Sequence, residues 1–133
     1  MQVYELLFEL RGGASVTADA FFEYLKDLQY TPHAKIMVFA DAGRIDAMAT
    51  MNRLEMPRYV GFAWEIEELA VREDCRGIGT GTEFLMELIA EARREPRCRK
   101  IIVKTDSAVA KRLYRKCMAA TELVVFQSQL NPC

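Results

Sequence analysis

Arg76-Gly77-Ile78-Gly79-Thr80-Gly81 sets three glycines at alternate positions just before an apolar run, Phe84, Leu85, Leu88, Ile89 and Ala92, whose helical spacing ends at Pro96. A helix that opens on glycines leaves its first N–H groups without internal partners and without covering side chains. Such a turn is an anion cradle, because free donors and the positive end of the helix dipole hold phosphate oxygens that the missing Cβ atoms let come close. Arg76 is placed to add a charged donor. Glycine turns between strand and helix also serve packing alone, so the ligand has to be sought in the surroundings. Two common phosphate motifs fail on the letters: no Gly-Lys-Ser/Thr run of a P-loop is present, and a dinucleotide fingerprint starting at Gly77 needs glycine where Thr82 stands.

Three carboxylates, Glu65, Glu67 and Glu68, crowd the segment just upstream, and Tyr114 lies among Lys111, Arg112, Arg115 and Lys116 downstream. Strict strand alternation puts Glu65 and Glu67 on one face with Leu69 and Val71, and Glu68 on the other. Acidic residues on a solvated strand face, and a tyrosine packed in a helix stripe, are the plain structural readings of the same letters. Other nucleophile and metal chemistry is poorly supplied. Cys75, Cys98, Cys117 and Cys133 form no C-x-x-C pair, and the one histidine, His33, sits in a Thr-Pro-His turn. That is neither a zinc pattern nor a cysteine–histidine couple. His33, Trp64, Met48, Met51 and Met56 read as core or loop residues.

The elements that must position these groups follow from patterning. At 133 residues and 51% hydrophobic, with 7 Gly and 4 Pro, the chain carries enough apolar material for one domain over 1–133 and too much for disorder. Residues 3–10 alternate loosely as a first strand stopped by Gly12-Gly13. Thr17 reads as an N-cap, with Phe21, Leu25 and Leu28 on one helical face before Pro32. Residues 34–40 and 45–51 pair as a hairpin around Asp41-Ala42-Gly43. Residues 59–71 supply the central strand, the glycine turn and its helix follow, and 100–104 is a short buried strand. Ser107 caps a last helix with Val109, Ala110, Leu113, Tyr114 and Cys117 in one stripe, and 122–130 closes as a strand. The expected order is β, α, β, β, β, α, β, α, β, an α/β chain with one mixed sheet and helices on its faces.

Net charge is −1, so no global field points to nucleic acid or a membrane surface. Its distribution is uneven. Residues 1–68 carry 6 basic and 11 acidic side chains, whereas residues 93–116 carry 10 and 2. This suits an anionic ligand in one place and a cationic one in another, or simply solvated faces. No aromatic residue is interleaved with the basic ones before Tyr114, which argues against nucleic acid. With no apolar window of membrane-spanning length and no secretory pattern at the N-terminus, a cytoplasmic protein is expected.

Leu69-Ala70-Val71, the linker, Arg76-Gly77-Ile78-Gly79-Thr80-Gly81 and the helix after it resemble the acyl-CoA signature R/Q-x-x-G-x-G/A of the GNAT superfamily of N-acetyltransferases, matched at Arg76, Gly79 and Gly81. Residues 107–116 resemble that family's second signature, with Ala110, Leu113 and Tyr114 on the helix after the next strand. Three departures stand out. Ser107 replaces a frequent Asn, the usual Gly-Phe after the helix is absent, and only one terminal strand is available where relatives often have two. The acceptor side is then open, or is completed by a second copy in a homodimer.

The resemblance implies acetyl-CoA as co-substrate and a primary amine on a small molecule or protein as acceptor. The acidic set, with Asp41, Asp46 and Glu55 among it, suits a cationic acceptor. It implies that Leu69, Ala70, Val71, Arg76, Gly77, Ile78, Gly79, Thr80, Gly81, Ser107 and Ala110 hold the acyl-CoA, with the Leu69 amide facing the thioester oxygen and Val71 pairing with the pantetheine arm. An amine with a pKa near ~10.4 must lose a proton before it attacks, which calls for a base. By resemblance Glu65 is that base. Relatives often bulge this strand, which shifts the faces and keeps Glu67 as the alternative. Tyr114 stands at the family's tyrosine position as general acid for the departing thiolate. A non-catalytic acyl-CoA-binding or interaction module on the same fold is the competing reading.

Overall fold

The computed structural model describes residues 2–9, 16–105, 107–119 and 128. The described chain runs α1 (Gln2–Glu9), α2 (Ala18–Leu28), β1 (Ala34–Asp41), β2 (Arg44–Met56), β3 (Gly61–Val71), α3 (Thr80–Arg94), β4 (Cys98–Val103) and α4 (Ala108–Cys117), with single 3-10 turns at Pro57–Tyr59 and Glu73–Cys75. The four strands form one mixed sheet in the order β1-β2-β3-β4. β1, β2 and β3 are antiparallel neighbours, and β4 lies parallel to β3 after the α3 crossover. The α/β class and mixed sheet expected from the patterning are what the chain adopts. The expected closing strand at 122–130 lies outside the described residues.

The opening segment is a correction: it is a helix and not a strand. Val3, Leu6 and Leu7 recur at i, i+3 and i+4, a spacing that makes one helical face, and an apolar run this short reads equally well with either period. Leu6 is buried with Met48 and Ala70, and Val3 and Leu7 pack against the same cluster. Gln2 fixes the helix to the sheet by accepting from the Ile45 amide at 2.8 Å and donating to the Gly43 carbonyl at 3.1 Å. Helix α2 starts where its cap was expected, since Thr17 Oγ1 accepts from the Ala20 amide at 3.2 Å. Phe21 of α2 meets Tyr4 and Phe8 of α1 at ring separations of 5.5 and 5.7 Å.

The main core lies on the opposite face. Ala47, Ala49, Met51, Phe62, Trp64 and Ile66 of the sheet close on Phe84, Leu85, Leu88 and Ala92 of α3. Leu85 is fully buried, so truncation to alanine costs about 2–5 kcal/mol. Trp64 donates its indole N–H to Glu95 Oε1 at 2.8 Å, and Lys35 Nζ reaches the same oxygen at 2.9 Å while lying 4.2 Å from the indole centre. Strand β4 is partly exposed along its length, against the short buried strand expected at 100–104. In α4, Leu113, Tyr114 and Cys117 pack on the core, but Val109 of the expected stripe is 69% exposed.

One irregularity in β3 matters for the site. Met51 pairs with Ile66 and Thr50 with Glu68, so Glu67 is an extra residue in a β-bulge. The bulge reverses the alternation beyond it. Leu69 and Val71 therefore share the α3 face with Trp64 and Ile66, and strict alternation, which set Glu65 and Glu67 beside them, is overturned. Glu68, expected opposite Glu65, falls on the α1 side with it.

Candidate active site

The parallel pairing of β3 with β4 ends at Ile66 and Val103, yet β3 runs on to Val71 paired with β2 alone. Arg72 donates its amide to the Asp46 carbonyl at 2.8 Å, which marks Arg72 and Ala70 as the residues bonded to β2. In an antiparallel ladder the alternate residues point the other way. The backbone groups of Leu69 and Val71 thus project into the wedge from which β4 has diverged. Glu68, the first residue past the bulge, has the same parity, its amide donating toward β2 to Thr50 Oγ1 at 3.1 Å.

The turn that follows closes one end of this wedge. Arg76 donates Nε–H to the Val71 carbonyl at 3.0 Å, so the guanidinium expected to face a ligand also staples the loop to the strand end. Gly77 and Gly79 adopt φ of +77° and +89°, the left-handed region where a Cβ is costly, and beyond the adjoining residues no atom of a described residue lies within 4 Å of where a Cβ would stand on either. Gly79 is the N-cap of α3, and the first helical bond runs from the Glu83 amide to its carbonyl at 3.0 Å. The amides of Thr80, Gly81 and Thr82 precede that bond and face outward from the helix end. Gly81 plays a different part. A Cβ there would stand 3.4 Å from Val71 Cγ2 and 3.5 Å from Leu113 Cδ2, at the joint of β3, α3 and α4. Ile78 is 73% exposed. Ser107 and Ala110 are engaged with each other, Ser107 Oγ accepting from the Ala110 amide at 3.3 Å as the cap of α4.

A cavity of about 600 Å³ lies around the β4 edge, lined among others by Glu65, Lys104, Lys111, Tyr114, Arg115 and Met118. Glu65 and Tyr114, the predicted base and acid, thus share one cavity. Glu65 Oε2 is buried and accepts no hydrogen bond from a described residue; Lys104 Nζ stands 3.0 Å away in an ion pair that lacks hydrogen-bond geometry. Burial, and after it the charge of Glu68, push the Tyr114 hydroxyl above the usual tyrosine range, so at neutral pH it carries its proton. Glu67 is not brought to this cavity. With Glu68 it lines a separate one of about 410 Å³ under α1 and α2, beside Leu7, Phe8, Phe21 and Tyr24. Sequence reasoning passed over Lys104, which it took as the last residue of a strand that ends at Val103, and set Glu68 on the face opposite Glu65 because that face depends on the bulge. Cys75, Cys98 and Cys117 are free thiols, and burial raises that of Cys98 above its ordinary range, away from the reactive thiolate.

The profile of the acetyltransferase (GNAT) family matches residues 2–119 of this chain. Among curated proteins no sequence matches. Among solved structures, a protein of Agrobacterium tumefaciens str. C58 is similar at 21% identity and a TM-score of 0.83, covering 97% of this chain and 92% of that one. Glucosamine-6-phosphate N-acetyltransferase from Arabidopsis thaliana is similar at 24% identity and a TM-score of 0.75, with 96% and 88% covered. An aminoglycoside acetyltransferase from an uncultured soil metagenomic sample, in complex with sisomicin, is similar at 20% identity and a TM-score of 0.77, with 96% and 84% covered. At these identities the likeness is one of fold.

Proposed function

The chain belongs to the GNAT family of acetyltransferases, and from that premise we propose that it transfers an acetyl group from acetyl-CoA to a primary amine by direct attack, both substrates being bound together. The residues fit the co-substrate. The open space over Gly77 and Gly79 and the outward amides of Thr80, Gly81 and Thr82 suit a diphosphate, and the wedge beside Leu69 and Val71 offers backbone groups to a pantetheine amide. In this reading the Leu69 amide donates to the thioester oxygen as charge grows on it. Arg76 sets the loop, Ser107 and Ala110 set the start of α4, and Ala70 turns its own amide to β2.

The observation that carries the reaction is the pairing of Glu65 and Tyr114 in one cavity, the first with a buried oxygen that accepts no hydrogen bond from a described residue and the second with a raised pKa. Glu65 takes the proton of the ammonium, directly or through a water, and Tyr114 gives its proton to the leaving thiolate. Glu67, the alternative base, lines the other cavity and is assigned to the acceptor's surroundings. Three carboxylates on the α1 side of β3 favour a cationic acceptor, and the aromatic wall of Phe8, Phe21 and Tyr24 favours one with an apolar body. Two of the three structurally similar proteins are named for glucosamine-6-phosphate and for an aminoglycoside as acceptor, so the fold accommodates amines on differently substituted sugars.

The test is release of free CoA thiol from acetyl-CoA with a panel of primary amines, alongside calorimetric titration with CoA. Turnover on at least one cationic amine, lost in Glu65→Gln and Tyr114→Phe with CoA binding retained, supports the reading. Absence of binding heat would overturn it, and binding without turnover on every amine would leave an acyl-CoA-binding module instead.

A further inference from the structure

Resting on the reading of Glu65 as the base, we propose that Lys104 is an internal acceptor, and that the protein acetylates its own Lys104 when no outside amine occupies the cavity. The amine that attacks is the one held against the base. Lys104 Nζ stands 3.0 Å from Glu65 Oε2 and lines the same cavity as Tyr114. It lies one residue beyond Val103, where β4 leaves β3 and the wedge opens, so its short tether starts beside the proposed thioester site. At 3.0 Å the Glu65 oxygen is within the reach that proton transfer from the Lys104 ammonium requires. The other lysine amines with described ion pairs are differently placed: Lys26 pairs with Glu23 on the exposed face of α2, and Lys35 with Glu95 at the far end of α3.

The step balances without a further reagent. The ammonium of Lys104 yields one proton to Glu65, its nitrogen forms a bond to the thioester carbonyl carbon, the carbon–sulfur bond breaks as the thiolate takes the proton of Tyr114, and the second nitrogen proton, shed as the amide forms, returns to the Tyr114 phenolate. The products are an amide on Lys104 and free CoA. Acetylation removes the cation beside Glu65 and with it the charge that an outside ammonium must displace.

The experiment is incubation of the full chain with acetyl-CoA and no added amine, followed by intact mass and peptide mapping over time, with the amine panel run on the same preparation. One acetyl group per chain is expected at Lys104, gained at a rate independent of protein concentration. It is expected to slow about 100-fold or more in Glu65→Gln and Tyr114→Phe, as for loss of a general base or acid. Lys104→Arg keeps the positive charge beside Glu65 and should show no such product while still releasing CoA with outside amines. Acetyl groups spread over the surface lysines, or gained at Lys104 equally fast in Tyr114→Phe, would overturn the proposal. Turnover on outside amines with Lys104 unmodified would overturn it and leave the acetyltransferase reading standing, whereas silence in both assays would remove both.

Discussion

Gly79→Ala separates the architectural from the ligand-binding use of the glycine turn. Gly79 has φ +89° with open space around the added methyl, so the penalty is backbone strain without a clash. For an alanine held in the left-handed region that strain is about 1–2 kcal/mol. Spread over the unfolding entropy of a 133-residue chain, it lowers Tm by about 3–8 °C. If the turn relaxes to shed the strain, the amides of Thr80 and Gly81 rotate away from the anion, and loss of one charge-assisted hydrogen bond of about 1.5–3 kcal/mol weakens CoA by about 10- to 100-fold. Gly81→Ala is the control. Its Cβ meets Val71 and Leu113 at ordinary contact distance inside a helix, where alanine is favoured by up to about 1 kcal/mol, so Tm should hold or rise. Thermal denaturation and calorimetric titration with CoA on both variants check this. CoA affinity of Gly79→Ala within about threefold of the parent, despite the lowered Tm, would refute the cradle.

Glu65→Gln should reduce kcat by about 100- to 10,000-fold and Glu67→Gln by less than about tenfold, with CoA affinity unchanged in both; equal losses would mean that the bulge does not choose between them. Glu68→Gln removes a negative charge that helps to raise the Tyr114 pKa. Because Tyr114 acts protonated, the alkaline limb of kcat should move to lower pH, yet stay above about 10, the free tyrosine value, since burial is the larger cause. Glu95→Ala strips Trp64 N–H and Lys35 of their shared acceptor and should destabilise by about 1–3 kcal/mol in a denaturant titration without altering kcat.

Much of the arrangement was legible because it depends on spacing alone. The caps Thr17 and Ser107 fall where their side-chain oxygens can reach the third residue on, and both do. Arg76, Gly79 and Gly81 were legible as a motif, but not their separate duties. Three glycines look alike in sequence, whereas only Gly77 and Gly79 take positive φ, and Gly81 is helical with room for a methyl, in keeping with a signature that admits alanine at that place. The opening helix was misread because eight residues carry too few periods to separate 2 from 3.6, and what decides is tertiary: Leu6 has Met48 and Ala70 to bury against.

The bulge is the feature that no local pattern announces, and the proposed chemistry depends on it. Without Glu67 as an extra residue, a β3 that puts Trp64 and Ile66 toward α3 would turn Leu69 and Val71 to the α1 side and press Glu68 and Ala70 into the α3 core. With it, the apolar pattern stays inward along the whole strand while the carboxylates of Glu65 and Glu68 fall on the α1 side. The shift also fixes which amides look toward β2. Leu69 and Val71 are the two that do not, and they lie where β4 no longer covers the strand. A single inserted residue therefore sets both the donors facing the proposed thioester and the side on which a base can meet the amine, so base and oxyanion donor are coupled through one piece of backbone.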